Sequence, residues 1–267
     1  MKLIIALFII TNTSFGQFLP LVIIGDDHRV RVTPELAESE IHHSIGQILI
    51  NKGELGFFTC TATVISQIHI LTAAHCILDP SGNEAVSVTF KPARGLDANI
   101  PITHRRISAK KFYYHPYYPI SRRAKYDVAV IELTREVPVN ALPIGRAPHM
   151  NRSRILKHPM LTWPLFLRIP SPEIMIAGYP GDKPNGQMWE GRGQLAYANF
   201  RNSNRYNVDT FAGQSGSAIR MNRRGEEVII GVHSSGVSNL VNAHNLGAMF
   251  DDSILGMIEE WITTKSN

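Results

Sequence analysis

Residues 71–76 read LTAAHC, an apolar β-type run that ends in two alanines, a histidine and a cysteine. The small alanines let the backbone turn tightly beneath an imidazole, and a bridge from Cys76 to Cys60 would tie that turn to the strand before it. Around this stretch the chain falls into short apolar or alternating runs separated by Gly, Pro, Asn and Asp, at 45–50, 57–65, 68–72, 86–90, 128–133, 174–178, 194–198, 217–221, 228–233 and 245–250. Such punctuation predicts an all-β protein. One amphipathic helix is predicted at the C-terminus, about 253–264, where Ile254, Leu255, Ile258, Trp261 and Ile262 share a face. Glu259 and Glu260 point away from that face, and Asp252 or Ser253 is a suitable N-cap.

With 44% hydrophobic and 18% charged residues among 267, the composition supplies a core and excludes wholesale disorder. The first residues, Met1 and Lys2 followed by LIIALFII and then Ser14 and Gly16, have the form of an export signal over 1–16. The apolar run is too short to span a bilayer, which needs about 20 such residues. A short propeptide at 17–21 and a mature domain at 22–267 follow from that reading, with no membrane association once the signal is removed. In an exported chain the two cysteines, Cys60 and Cys76, suggest one disulfide, and their spacing gives no support to zinc or to a CxxC site. No metal or cofactor is called for.

The net charge of +5 is uneven: residues 91–125 hold nine Lys or Arg against one acid, Asp97. These are interleaved with His, Pro and Tyr rather than set on one helical face, so the stretch reads as a solvated loop region with a bias toward acidic partners, not as a specific nucleic-acid site. Residues 146–172, rich in Pro, fall where a crossing between two half-structures would lie. Asn151-Arg152-Ser153 has the form of a glycan acceptor, a motif that often occurs by chance.

Three elements carry chemistry together that none carries alone. His75 closes the LTAAHC run, Asp127 opens the buried run YDVAVIEL at 126–133, and Ser215 sits between Gly213 and Gly216 in FAGQSGSAI at 211–219. A serine hydroxyl is a weak nucleophile at neutral pH. It needs a base, and the base needs an acid to fix its tautomer and stabilise the imidazolium. Glycine on both sides permits the strained turn that exposes the hydroxyl, and it lets the N–H groups of Gly213 and Ser215 converge as an oxyanion hole.

The sequence resembles the chymotrypsin-fold serine proteases and, among them, the bacterial glutamyl endopeptidases of staphylococcal and bacillary type. The motifs that carry this are IIGDDHRVRV at 23–32, TAAHC, YDVAVIEL, GYPGDKP at 178–184 with Met188, Trp189, Glu190 and Gly193 after it, DTFAGQSGSAI at 209–219 and GVHSSG at 231–236. The resemblance implies two antiparallel six-stranded β-barrels, about 40–135 and 173–250, with the site in the cleft between them. It implies a monomeric, secreted serine endopeptidase that acts on proteins or peptides through His75, Asp127 and Ser215. A separate activating protease would remove the propeptide, and Ser234, Ser235 and Gly236 would line the substrate backbone as an added strand.

The same resemblance places Thr210 and His233 in the P1 pocket, where both can donate to a Glu side chain. The residue before the serine is Gln214, so a trypsin-type activation salt bridge cannot form. Asp209 points the other way, because trypsins carry their Arg/Lys-binding acid at that position and a buried acid would repel Glu. Glu preference, Arg/Lys preference through Asp209, and a non-catalytic binding homologue are the readings the sequence leaves open.

Overall fold

The computed structural model describes residues 23–37, 39–96, 100–148, 171–195, 205–237 and 243–264. The export signal and propeptide, the glycan-acceptor tripeptide and most of the Pro-rich 146–172 stretch lie outside these residues. A short strand, β1 (Val30–Val32), precedes the first barrel, which is made of β2 (Ile45–Asn51), β3 (Phe57–Val64), β4 (His69–Thr72), β5 (Ser87–Pro92), β6 (Ile107–Tyr114) and β7 (Ala129–Leu133). These six strands close in the order β2-β3-β4-β7-β6-β5, all antiparallel.

The second half contains β8 (Glu173–Gly178), β9 (Met188–Gln194), β10 (Arg205–Tyr206), β11 (Ala218–Arg223), β12 (Glu226–Val237) and β13 (His244–Met249). With β1 they form one sheet ordered β1-β9-β8-β11-β12-β13-β10. A single antiparallel bridge, Leu195 to Tyr206, brings the end of β9 to β10, so this sheet curls toward a second barrel. The all-β, chymotrypsin-like architecture is the one the motifs imply.

β4 and β7 are buried along their whole length. The reason is that one apolar cluster spans the two halves: Ile70, Leu71, Val130 and Ile131 share it with Ala218, Ile229, Val232, Ala248 and Phe250. Burying both faces of these strands stabilises the pairing of the barrels by the transfer of apolar surface from water, about 25 cal/mol per Å². The C-terminal helix (Asp252–Thr263) inserts Ile254 and Ile258 into this cluster, and Trp261 stacks on Tyr113 of β6 at 6.4 Å.

Several local expectations need correction. The N-cap of the C-terminal helix is Asp251, whose carboxylate accepts from Ile254 N–H at 2.9 Å, rather than Asp252 or Ser253. The basic stretch is not simply loop, since β6 runs through it. A bulge between Ala109 and Lys111 breaks the two-residue alternation there and turns Lys110 out onto Glu132. In the second half β9 begins at Met188, ahead of the strand expected at 194–198, most of which lies outside the described residues.

Candidate active site

β4 ends at Thr72, and the chain then turns through the buried Ala73 and Ala74 into a single helical turn, Ala74–Ile77, that carries His75. Two ties hold this turn. Cys76 is disulfide-bonded to Cys60 of β3, and Lys52 Nζ donates to the carbonyls of His75 and Leu78 at 2.7 and 2.8 Å. Burial pushes the Lys52 ammonium down to about 8. Cys60, His75 and Cys76 form a group of metal-ligand type, but both sulfurs are spent in the disulfide and neither is available as a thiolate.

Asp127 follows a 3-10 turn, Ala124–Tyr126, at the mouth of β7 and is 1% exposed. Its Oδ1 accepts from the His75 backbone N–H at 2.8 Å, and its Oδ2 faces His75 Nδ1 at 2.7 Å and accepts from Ser234 Oγ at 2.5 Å. Burial works against the charge, yet the imidazole, the hydroxyl and the N–H together hold this carboxyl below its ordinary value. A carboxylate at Nδ1 requires the proton there, which leaves His75 Nε2 as the lone-pair nitrogen.

Ser215 occupies the turn between β10 and β11. Gly213 has φ +98° and Gly216 φ +81°, and neither could carry a side chain. A Cβ on Gly213 would lie 2.3 Å from Tyr179 O, and one on Gly216 would lie 2.1 Å from Thr72 Oγ1 and 3.0 Å from Ala73 N. The second contact sets the serine turn against the residues that lead into His75. Thr61 of β3 links the barrels at the same point: its N–H donates to Ser215 O at 2.8 Å, and its hydroxyl donates to Gly213 O at 2.9 Å and accepts from Tyr179 N–H at 3.1 Å. The N–H groups of Gln214, Gly216 and Ser217 are taken by Phe211, His233 and Gln214 carbonyls. Among the described residues, no protein acceptor takes the N–H of Gly213 or Ser215.

Thr210 and His233 are both fully buried, and among the described residues neither Thr210 Oγ1 nor His233 Nε2 has a hydrogen-bond partner. An unsatisfied buried polar atom costs about 1–3 kcal/mol, so each calls for an explanation. Burial, with His75 nearby, drives the His233 imidazole down to about 3, and it is neutral at neutral pH. Ser234, Ser235 and Gly236 continue β12 past the point where β11 leaves it: β11 pairs as far as Val232, while β13 pairs with Ser235 and Gly236 on the other edge.

Asp209, the neighbour of Thr210, is held by the N-terminal segment. Its Oδ1 accepts from Ile24 N–H at 2.7 Å and its Oδ2 from His28 N–H at 3.0 Å, with His28 Nδ1 at 3.2 Å. The carboxylate is thus engaged by the N-terminal segment.

Sequence reasoning missed the cation that assembles the serine turn. Arg29, its side chain fully buried, donates to both oxygens of Asp27, to Asp182 and to Gln214 Oε1. Arg29 and Asp182 both lie in motifs already singled out, IIGDDHRVRV and GYPGDKP. A signal was therefore present: an Arg two residues after a pair of Asp, and an Asp in a Gly-Pro turn. Thr61, Lys52 and Tyr206 carried no comparable signal.

The fold is chymotrypsin-like, and the family model described as Trypsin matches residues 37–155. Among proteins of this fold the chain resembles the glutamyl endopeptidases. It is 28% identical to the glutamyl endopeptidase of Bacillus licheniformis over 251 residues, covering 90% of this chain and 68% of that one. It is 24% identical to that of Staphylococcus epidermidis over 230 residues, covering 86% and 72%. The solved structure of a Glu endopeptidase in complex with MPD superposes with a TM-score of 0.67 at 25% identity, covering 91% of this chain and all of that one. A thermostable serine protease, AL20, shares the fold at a TM-score of 0.65 and 18% identity, covering 84% of this chain and 99% of that one.

Proposed function

We propose that Ser215 is the nucleophile, His75 its general base and Asp127 the residue that orients His75, in a secreted endopeptidase that cuts after Glu. The observation that carries the catalytic reading is the His75–Asp127 pair at 2.7 Å, set beside a glycine-flanked serine turn. His75 Nε2 takes the Ser215 Oγ proton as the oxygen attacks the scissile carbonyl. The carbonyl oxygen, now negative, is held by the Gly213 and Ser215 N–H groups, which have no competing acceptor among the described residues. The imidazolium, stabilised by Asp127, returns the proton to the leaving amine, and water then hydrolyses the acyl-enzyme by the same relay. The free edge of β12 from Ser234 to Gly236 is suited to pairing with the substrate backbone.

Glu preference rests on the two unpartnered polar atoms, Thr210 Oγ1 and His233 Nε2, together with the engagement of Asp209 by Ile24 and His28. A carboxylate would satisfy both atoms, whereas the buried cation of Arg or Lys would find no free acid. Residues 1–16 act as the export signal and 17–21 as a propeptide removed by another protease, leaving a monomeric domain from 22. Among the described residues, no helix is long and apolar enough to cross a membrane.

The test is a peptide library digested by the processed protein beside a Ser215→Ala control. Cleavage after Glu that disappears in the control supports the reading. Peptides left intact by both forms, or cleavage confined to Arg and Lys, would sink the catalytic and the pocket assignments respectively. N-terminal sequencing of protein recovered from culture medium tests export and processing.

A further inference from the structure

Behind His233 stands a residue that the pocket chemistry leaves unexplained. Tyr206 of β10 is fully buried, and its hydroxyl lies in short hydrogen-bond contact with His233 Nδ1 and 3.0 Å from the carbonyl of Leu246. Burial pushes the Tyr206 phenol far up, so the hydroxyl always holds its proton. One hydroxyl proton cannot serve both neighbours, and a neutral His233 has one ring proton to place.

Two arrangements satisfy this constraint. If Tyr206 donates to Leu246 O, its oxygen accepts from His233 Nδ1–H, and Nε2 is a bare lone pair that repels a carboxylate. If Tyr206 donates to Nδ1, the ring proton belongs on Nε2, which becomes a donor. The proton count is the same in both: the ring loses its Nδ1 proton to water and takes one up from water at Nε2, while the hydroxyl turns.

Resting on the Glu reading above, we propose that Tyr206 is the positioning residue that sets P1 selectivity by fixing the His233 tautomer. With its hydroxyl turned onto Nδ1 the pocket offers Nε2–H to an ionised carboxylate. With the hydroxyl turned onto Leu246 the pocket offers an acceptor, which suits the amide NH2 of Gln. The substrate class is therefore a P1 carboxylate first and its neutral amide second, discriminated by a group that touches neither.

The variant Tyr206→Phe keeps the ring and removes the hydroxyl. Nothing then donates to Nδ1, the Leu246 carbonyl that the hydroxyl occupied is freed, and the ring proton is expected on Nδ1, which leaves Nε2 as an acceptor. The ratio of kcat/KM for matched P1 Glu and P1 Gln peptides is expected to fall roughly 10- to 100-fold, as for removal of a charge-assisted donor. Histidine side-chain nitrogen shifts, assigned with a His233→Gln variant, should show His233 as the Nδ1–H tautomer in Tyr206→Phe and the Nε2–H tautomer in the parent bound to a P1 Glu product. An unchanged ratio, an equal loss on both substrates, or a parent complex with both ring nitrogens protonated would each overturn the proposal. Should Tyr206→Phe fail to fold, the tautomer of the parent complex decides alone. A parent enzyme with no preference for Glu would instead remove the reading on which this one rests.

Discussion

Arg29 and Gln214 are joined across the whole fold: the guanidinium donates from Nη1 to Gln214 Oε1 at 3.1 Å, and the same oxygen accepts the Phe211 N–H at 3.0 Å. Gln214 immediately precedes Ser215, so the cation of the N-terminal segment fixes the chain entering the serine turn. Asp182 completes the clamp, while the N–H of the residue before it, Gly181, donates to Ala212 O at 2.6 Å. The arrangement occupies the place where a trypsin-type salt bridge is ruled out by the amide side chain of Gln214. Arg29→Ala would take the buried guanidinium from Asp182 and Gln214 and leave Asp27 with Lys183, at a cost of about 1–3 kcal/mol. Urea denaturation should show that loss, and residual activity at low temperature should fall through kcat more than KM. A variant with parental stability and kcat would refute the clamp.

How much of this was legible depended on how local the signal was. The turns at His75 and Ser215 are written in consecutive residues, two alanines before one and glycines around the other, so they could be read directly. Arg29 could not be read in the same way, because its partners Asp182 and Gln214 lie 153 and 185 residues away and their meeting depends on the closed fold. β6 was obscured for a different reason. Its bulge at Ala109/Lys111 removes the alternation that marks a strand, and Lys110 and Lys111 gave the segment the look of a basic loop. The role of Asp209 stayed open because sequence position gives a residue's place along the chain, whereas its partners Ile24 and His28 lie 185 and 181 residues away.

Glu190 gives a stability prediction with a definite sign. Burial opposes its charge, but His42 at 3.0 Å and Arg220 at 2.5 Å hold its carboxyl down to about 2 from an ordinary 4.5. A depressed acid contributes stability that is fully present above its unfolded pKa and is lost as pH falls through the folded one. The contribution is on the order of 3 kcal/mol at neutral pH and should drain away between about 4.5 and 2. Denaturation midpoints across that window should drop steeply in the parent and less steeply in Glu190→Gln, which starts lower at pH 7. Parallel slopes would show that the acid sensitivity arises elsewhere.

Gly216 and Gly225 separate crowding from backbone strain. Both have positive φ, +81° and +92°, but a Cβ on Gly216 meets Thr72 Oγ1 at 2.1 Å and Thr61 O at 2.4 Å, while one on Gly225 meets nothing within 4 Å. Gly225→Ala should cost about 1 kcal/mol and leave activity unchanged. Gly216→Ala should cost about 3 kcal/mol or more and abolish turnover, because the added methyl wedges the serine turn away from the His75 loop. The thermal midpoints and the rate on one Glu peptide, measured for both variants, check the contrast.

Asp209 offers the sharpest division between two views of the pocket. If its carboxylate faced a P1 side chain, Asp209→Asn would remove a repulsion and speed cleavage after Glu. With both oxygens engaged by Ile24 N–H and His28 N–H, the same change instead replaces a charged acceptor of two backbone donors by an amide with one acceptor oxygen. One donor is then left facing an NH2 group, at a cost of about 1–3 kcal/mol. The N-terminal segment should loosen, and with it Arg29 and the serine turn that Arg29 holds. The expected outcome is a lower kcat/KM on Glu peptides, by roughly 10-fold, with no gain on Arg or Lys peptides. Steady-state kinetics on the three substrates checks it, and faster Glu cleavage in Asp209→Asn would return the acid to the pocket.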